Sequence, residues 1–399
     1  MKKKLIPLLL AICLVVSTVG ACGNKSKNSS SKKNSNEITE SQTDLTKGNT
    51  TDGTKNEDVE KDSQAQGETA NENGTTTFTD SAGRQVEIPT NITRIAPSGT
   101  MAQIVLFALA PDMFVGLSSD WDTEAAQYLD SKYYNLPVLG QFYGKGDLNL
   151  EEVVKADPQV IIDVGESKPT IVEDMDAIAE QVNIPTIHIE ATTEGMGDAY
   201  RELGKLLGRE EKAEVLANYC DEIYTKTQDI MNKVGEDGKV KLLYCTSDGL
   251  SVLAKDSFHA EIIDQVSNNV AVVDDISSKG TGNPVDMEQI LLWNPDVIIF
   301  APGSIYNTVA KDKAWQELSA IKNNRYFEVP SGPYNWMGNP PSVNRYMGMI
   351  WITQLLYPEQ ANYNVYEEAA RYYDLFYHTK LTEEQYNNLV ANSLMKLKK

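Results

Sequence analysis

The sequence predicts an α/β fold of two Rossmann-like lobes joined by a single long helix, with a cleft between the lobes. A repeat and the features around it predict this. The segment Leu150–Ile162 (LEEVVKADPQVII) aligns without a gap on Met287–Ile299 (MEQILLWNPDVII), a repeat at a constant offset of 137 residues (287 against 150). In each copy a short amphipathic helix is stopped by a proline, Pro158 or Pro295, and an apolar run too short for a helix follows as a buried strand. Each strand then ends in small polar residues, Gly165-Glu166-Ser167 and Pro302-Gly303-Ser304, where open α/β sheets place their ligands. Between the copies, residues 210–233 are rich in Ala, Glu, Lys and Leu and long enough to run the height of a domain.

The elements follow in chain order. Residues 1–21 read as an export signal, with Lys2, Lys3 and Lys4 ahead of the apolar run Leu5 to Val16. That run is too short to span a membrane. Val19-Gly20-Ala21-Cys22 matches the lipobox of bacterial lipoproteins, so Cys22 is the expected lipidation site and anchors the chain to the outer face of the cytoplasmic membrane. Residues 22–77 carry few large aliphatics, only Ile38, Leu45 and Val59, and are expected to form a disordered tether reaching about 40 Å. An N-terminal lobe is expected over 78–208, a connecting helix over 209–238 and a C-terminal lobe over 239–399. In the first lobe Arg94 to Pro97 leads into a helix over Met101 to Leu109, and Ile184 to Ile189 is a later strand. In the second, Val240 to Cys245 is a strand, Phe258 to Val266 a helix and Arg325 to Val329 a strand.

Of 399 residues, 36 are Lys or Arg and 57 Asp or Glu, a net charge of −21. A chain this acidic repels polyphosphate backbones, so no nucleic-acid partner is expected. The three signal lysines cancel the tether, which has 7 Lys against 10 acids, so the whole charge falls on the lobes.

Residues 78–399 resemble the helical-backbone class of solute-binding proteins of ABC importers for ferric siderophores, heme and cobalamin. The resemblance is carried by Phe78 to Pro89, by both Glu-bearing repeats, by Trp315 to Val329 and by Pro341-Ser342-Val343-Asn344-Arg345. It implies no enzymatic activity, no intrinsic cofactor, and a transported iron or cobalt complex held between the lobes. It also implies an ABC permease dimer with its cytoplasmic ATPase as partner.

Each repeat helix opens on a capping box, Asn149 with Glu152 and Asp286 with Gln289. That leaves Glu151 and Glu288, which read as favourable first-turn acids on the residues alone. The resemblance instead matches them to the paired glutamates, one per lobe, that dock on permease arginines.

Candidate ligand contacts lie at strand ends facing the cleft. The first lobe offers Ser98, Gly99 and Thr100 at a helix N-terminus, then Trp121, Tyr143 and Glu166; free N–H groups there favour an anionic group. The second offers Ser247, His259, Ser304, Tyr306, Tyr334, Trp336 and Arg345. His259 reads either as a metal or oxyanion ligand or as a solvated residue opening a helix, and no second ligand stands at metal spacing from it. Arg345 reads as an anion ligand or a loop cap, and Tyr334 and Trp336 as cleft lining or as packing over the second lobe. His188 is expected to be structural. Cys220 and Cys245 form a disulfide or stay buried thiols.

Three other readings compete with a chelate-binding role. A small oxyanion such as molybdate or tungstate would serve the same transport function. A surface hydrolase would need a nucleophile, a base and an orienting acid, yet there is no nucleophile-elbow motif and no His with an evident Ser or Cys partner. A structural adhesin would bind no small molecule.

Overall fold

The computed structural model describes residues 74–143, 147–277 and 279–398. The signal, the lipobox with Cys22 and nearly all of the tether lie outside the described residues. A hairpin of β1 (Thr75–Thr79) and β2 (Gln85–Pro89) opens the folded part. The first lobe is built on β3 (Ile95–Pro97), β4 (Val160–Gly165) and β5 (Thr186–Glu190), parallel in that order. Its helices are α1 (Thr100–Leu109), the short α2 (Ser131–Tyr134), α3 (Leu150–Ala156) and α4 (Ile171–Val182). Every residue of β4 is buried, as a parallel strand covered on both faces requires.

Next come α5 (Met196–Leu207) and the 25-residue α6 (Glu210–Val234), separated at Gly208, whose φ of +62° ends α5 in a left-handed cap. The second lobe centres on β6 (Lys241–Thr246), with β7 (Ser251–Val252), β8 (Asn268–Asn269), β9 (Asn283–Pro284), β10 (Val297–Phe300) and β11 (Tyr326–Glu328). Its sheet runs β11-β10-β6-β7-β9, with β8 beside β6. The helices are α7 (Glu261–Val266), α8 (Met287–Trp293), α9 (Tyr306–Val309), α10 (Ser319–Lys322), α11 (Asn344–Leu356), α12 (Pro358–Ala361), α13 (Val365–Tyr377) and α14 (Glu383–Leu389).

The repeat is visible atom by atom. Residues α3 and α8 occupy are 137 apart at both ends, and each helix closes on a left-handed residue, Asp157 at φ +49° and Asn294 at φ +40°. Asn149 Oδ1 accepts the Glu152 N–H at 3.2 Å, and Asp286 Oδ1 the Gln289 N–H at 2.8 Å. The reciprocal half of the first capping box is not made. The Asn149 N–H donates to Leu139 O instead, and Glu152 turns to Lys155 Nζ at 3.4 Å. Tertiary pairing has taken the donor that the local motif would have used.

The predicted helix from Phe258 also divides. Phe258–Ala260 is a 3₁₀ turn, and α7 begins only at Glu261. Cys220, in α6, and Cys245, in β6, are both free and buried, so the disulfide reading is replaced by two buried thiols. Burial pushes both thiols well up from their ordinary range, which leaves them inert at neutral pH.

Candidate functional site

The cleft between the lobes is formed by two adjoining cavities. One, of about 660 Å³, is walled by the first lobe, including Ser98, Gly99, Thr100, Tyr143 and Glu166, and closed by Phe258, His259, Pro340 and Pro341 from the second. The other, of about 480 Å³, lies on the second-lobe side and includes Ser247 and Thr246 at the end of β6, with His259 again on its wall. His259 thus stands where the two cavities meet. It is half-buried, in the 3₁₀ turn that precedes α7.

Local structure explains the first-lobe wall. Pro97 ends β3, and Ser98-Gly99 turns directly into α1, whose first turn has no side-chain cap. Its N–H groups therefore remain available at the cavity, with the positive end of the helix dipole behind them. Tyr143 is held by its hydroxyl, which donates to Asp174 Oδ2 at 3.1 Å, and the Lys168 ammonium sits 4.5 Å from its ring centroid. Ser167, at the strand end where ligands were expected, lines this cavity too, as do Lys168 and Gln141, which were not among the expected contacts. Gln141 and Lys168 lie two positions from Tyr143 and Glu166, but nothing in a loop sequence says which way its side chains point.

The acid on this wall is perturbed. Burial raises the Glu166 carboxyl above the ordinary range; Glu261 across the cleft adds to this and Arg345 partly offsets it. Arg345 itself is buried at 5% exposure and committed. Its guanidinium pairs with Glu261, donates to Thr193 Oγ1 at 3.0 Å and to Phe258 O at 2.8 Å. It is a structural cation behind the cleft, and its role as an anion ligand is withdrawn on that ground.

Four aromatic expectations are corrected for one reason, which is that large rings were used to fill core. Trp336 is 1% exposed, with its indole N–H donating to Tyr373. Trp121 is 4% exposed and packs against Phe107 and Tyr334, with ring centroids at 5.0 and 5.7 Å. Tyr334 belongs to that same stack. Tyr306 lies against Phe300 and Tyr326 on the β11 side of the second lobe. Ser304 is half-buried and lines neither cavity.

His188 is fully buried, but it does have a serine partner, Ser167 Oγ at 2.9 Å from Nε2. Among the described residues no group of three or more His, Cys, Asp or Glu could hold a metal ion. Glu151 and Glu288 are exposed, at matching positions of α3 and α8.

Comparison with known proteins agrees with this architecture. The periplasmic binding protein family model matches residues 107–333, more than half of the chain. No curated protein matches it by sequence. Among solved structures, an ABC transporter solute binding protein from Sulfurospirillum deleyianum is 28% identical, with a TM-score of 0.72 over 79% of this chain and 99% of that one. A periplasmic solute binding protein from Veillonella parvula is 25% identical, with a TM-score of 0.65 over 80% and 98%. A molybdate periplasmic binding protein from Haemophilus influenzae, at 20% identity and a TM-score of 0.62 over 77% and 99%, shares the fold. With two α/β lobes, a helical connection and a cleft of solute size, the chain belongs to the periplasmic binding protein family, the solute-binding proteins of ABC transporters.

Proposed function

We propose that this chain captures a metal complex, a ferric siderophore, heme or corrinoid, in the interlobe cleft and delivers it to an ABC permease dimer driven by a cytoplasmic ATPase. A lipid on Cys22 holds it at the outer face of the membrane. Cleft size carries the reading. Cavities of about 660 and 480 Å³ that meet at His259 fall in the range of sites for drug-sized ligands. A bare tetrahedral oxyanion would leave most of that space to water.

The uncapped N-terminus of α1 and the Lys168 ammonium offset the acids Asp163 and Glu166 on the same wall, inside a protein of charge −21, and His259 adds a hydrogen-bonding ring. They suit the anionic face of a chelate. The same helix N-terminus favours the second reading, a small oxyanion.

The deciding experiment is absorbance and native mass spectrometry on protein purified from its host, followed by fluorescence titration of ligand-free protein. A chelate that travels with the protein and binds at micromolar concentration or below supports the proposal. Response to molybdate or tungstate with none to any chelate would reverse it in favour of the oxyanion.

A further inference from the structure

A chain of hydrogen bonds under the first-lobe cavity is used by neither reading of the ligand. Ser167 Oγ lies 2.9 Å from His188 Nε2, and His188 Nδ1 lies 2.7 Å from Asp163 Oδ2. The other carboxylate oxygen, Asp163 Oδ1, accepts the Ser98 hydroxyl. Asp163 and His188 are register partners on neighbouring strands β4 and β5. The backbone of His188 is fixed as well, its N–H donating to Asp80 Oδ2 at 3.2 Å and its carbonyl accepting from Ser81 at 3.0 Å.

The network assigns the protons. Asp163 accepts on both oxygens, so it is served as a carboxylate, and the Nδ1 of His188 carries the imidazole proton toward it. Nε2 is then a lone pair, and the Ser167 hydroxyl donates to it. This is the nucleophile, base and orienting acid of acyl transfer, in that order. The nucleophile is exposed on the cavity wall, while His188 has no exposure at all. Gly99 and Thr100 line the same cavity, and the uncapped first turn of α1 supplies N–H donors for a developing oxyanion.

We propose that Ser167 is an activated nucleophile, acylated by carboxylic esters of phenols or enols that enter the cleft. Ser167 Oγ bonds to the carbonyl carbon as the bond from carbon to the leaving oxygen breaks. The Oγ proton passes to His188 Nε2, forming an imidazolium beside the Asp163 carboxylate, and the aryloxide leaves with its electron pair. Because His188 is sealed beneath Ser167, it reaches neither a leaving group nor a water. The reaction therefore needs leaving groups that depart as stable anions, and the acyl-enzyme persists instead of turning over. One modification per chain does not depend on which solute the cleft carries.

The test uses the intact protein with p-nitrophenyl acetate. The expected result is a burst of one equivalent of p-nitrophenolate and one acetyl group mapped by peptide mass spectrometry to Ser167. Ser167→Ala, at an exposed position, abolishes both. His188→Gln slows acylation at least about hundredfold, the usual scale for losing a general base. Acetyl groups on lysines but not on Ser167, an undiminished burst in Ser167→Ala, or equal rates in a folded His188→Gln would overturn the proposal. If His188→Gln does not fold, adduct mapping in the native chain decides alone, since a purely structural network leaves Ser167 as inert as any other exposed serine.

Discussion

The chemistry of Glu166 depends on surroundings drawn from both lobes. Glu166 follows β4 on the first lobe, yet the carboxylate that opposes it, Glu261, begins α7 on the second. Burial and that repulsion raise its folded pKa above the unfolded value. The sign follows from linkage: between the two values the folded chain keeps a proton that the unfolded chain has lost, so stability falls as pH rises through that window. Above the folded pKa the charge is a standing cost. Glu166→Gln is therefore expected to raise Tm at about pH 7 and to leave it unchanged at about pH 4, below the ordinary glutamate value. Calorimetry at the two pH values checks this, and an unchanged Tm at pH 7 would refute it. Residue-level reading reaches furthest where backbone dictates position, as at Ser98, Gly99 and Thr100, which turn from β3 into α1 beside the cavity. It gave ligand contact for Trp121 and left ligand contact open beside packing or loop-capping for Trp336 and Arg345, because sequence names a side chain and not its direction. A large ring or a guanidinium near a strand end satisfies itself inside the core whenever partners such as Phe107, Tyr373 or Glu261 are within reach.

At the level of elements the repeat was the most legible feature, because its signals are local. An N-cap side chain, a proline and a strand-length apolar run each act within a few residues, and they recur at one offset. What was less legible came from distant competition, as when Leu139 took the Asn149 N–H. The two helices leave matching features in water. Val154 on α3 and Leu291 on α8, again 137 apart, are 79% and 38% exposed beside Glu151 and Glu288. Neither glutamate joins an ion pair among the described residues, so first-turn stabilisation is the only local task they have. That task is worth about 0.3–1 kcal/mol each at an exposed helix start. A charged, self-similar pair on two lobes suits a partner with two-fold symmetry. Replacing both, Glu151→Ala with Glu288→Ala, is expected to change ligand affinity less than about twofold while bringing uptake to background. Radiolabelled uptake beside a fluorescence titration separates the two effects, and unchanged uptake would end the docking role.

Taken whole, the molecule is more unified than a picture of two lobes on a hinge implies. One hydrophobic cluster runs from Ile88 and α1 through α5 and α6 to α11, α13 and Val390. The C-terminal helices do not stay with the second sheet; α13 packs on α1, and the His378 Nε2–H donates to Phe107 O at 3.1 Å. The sequence held no sign of this, since periodicity shows that α13 has an apolar face and not which lobe covers it. Polar ties cross the same boundary: Thr193 Oγ1 donates to Glu261 Oε2 at 2.8 Å, the Tyr346 hydroxyl to Thr193 O at 2.5 Å, and the Ser342 hydroxyl to Met101 O at 3.3 Å. Opening the cleft widely would break these bonds and split the shared core, so motion about α6 is expected to be small. Lobes that share one core should also lose it together. The folded region is therefore expected to melt in a single endotherm whose calorimetric and van't Hoff enthalpies agree to within about 10%, the mark of an all-or-none transition. Saturating ligand, bound across both walls, should move that endotherm upward as a whole by the logarithm of its excess over Kd. Two endotherms, with only one shifted by ligand, would mean that the lobes fold independently and that the interface is a docking contact instead of a core.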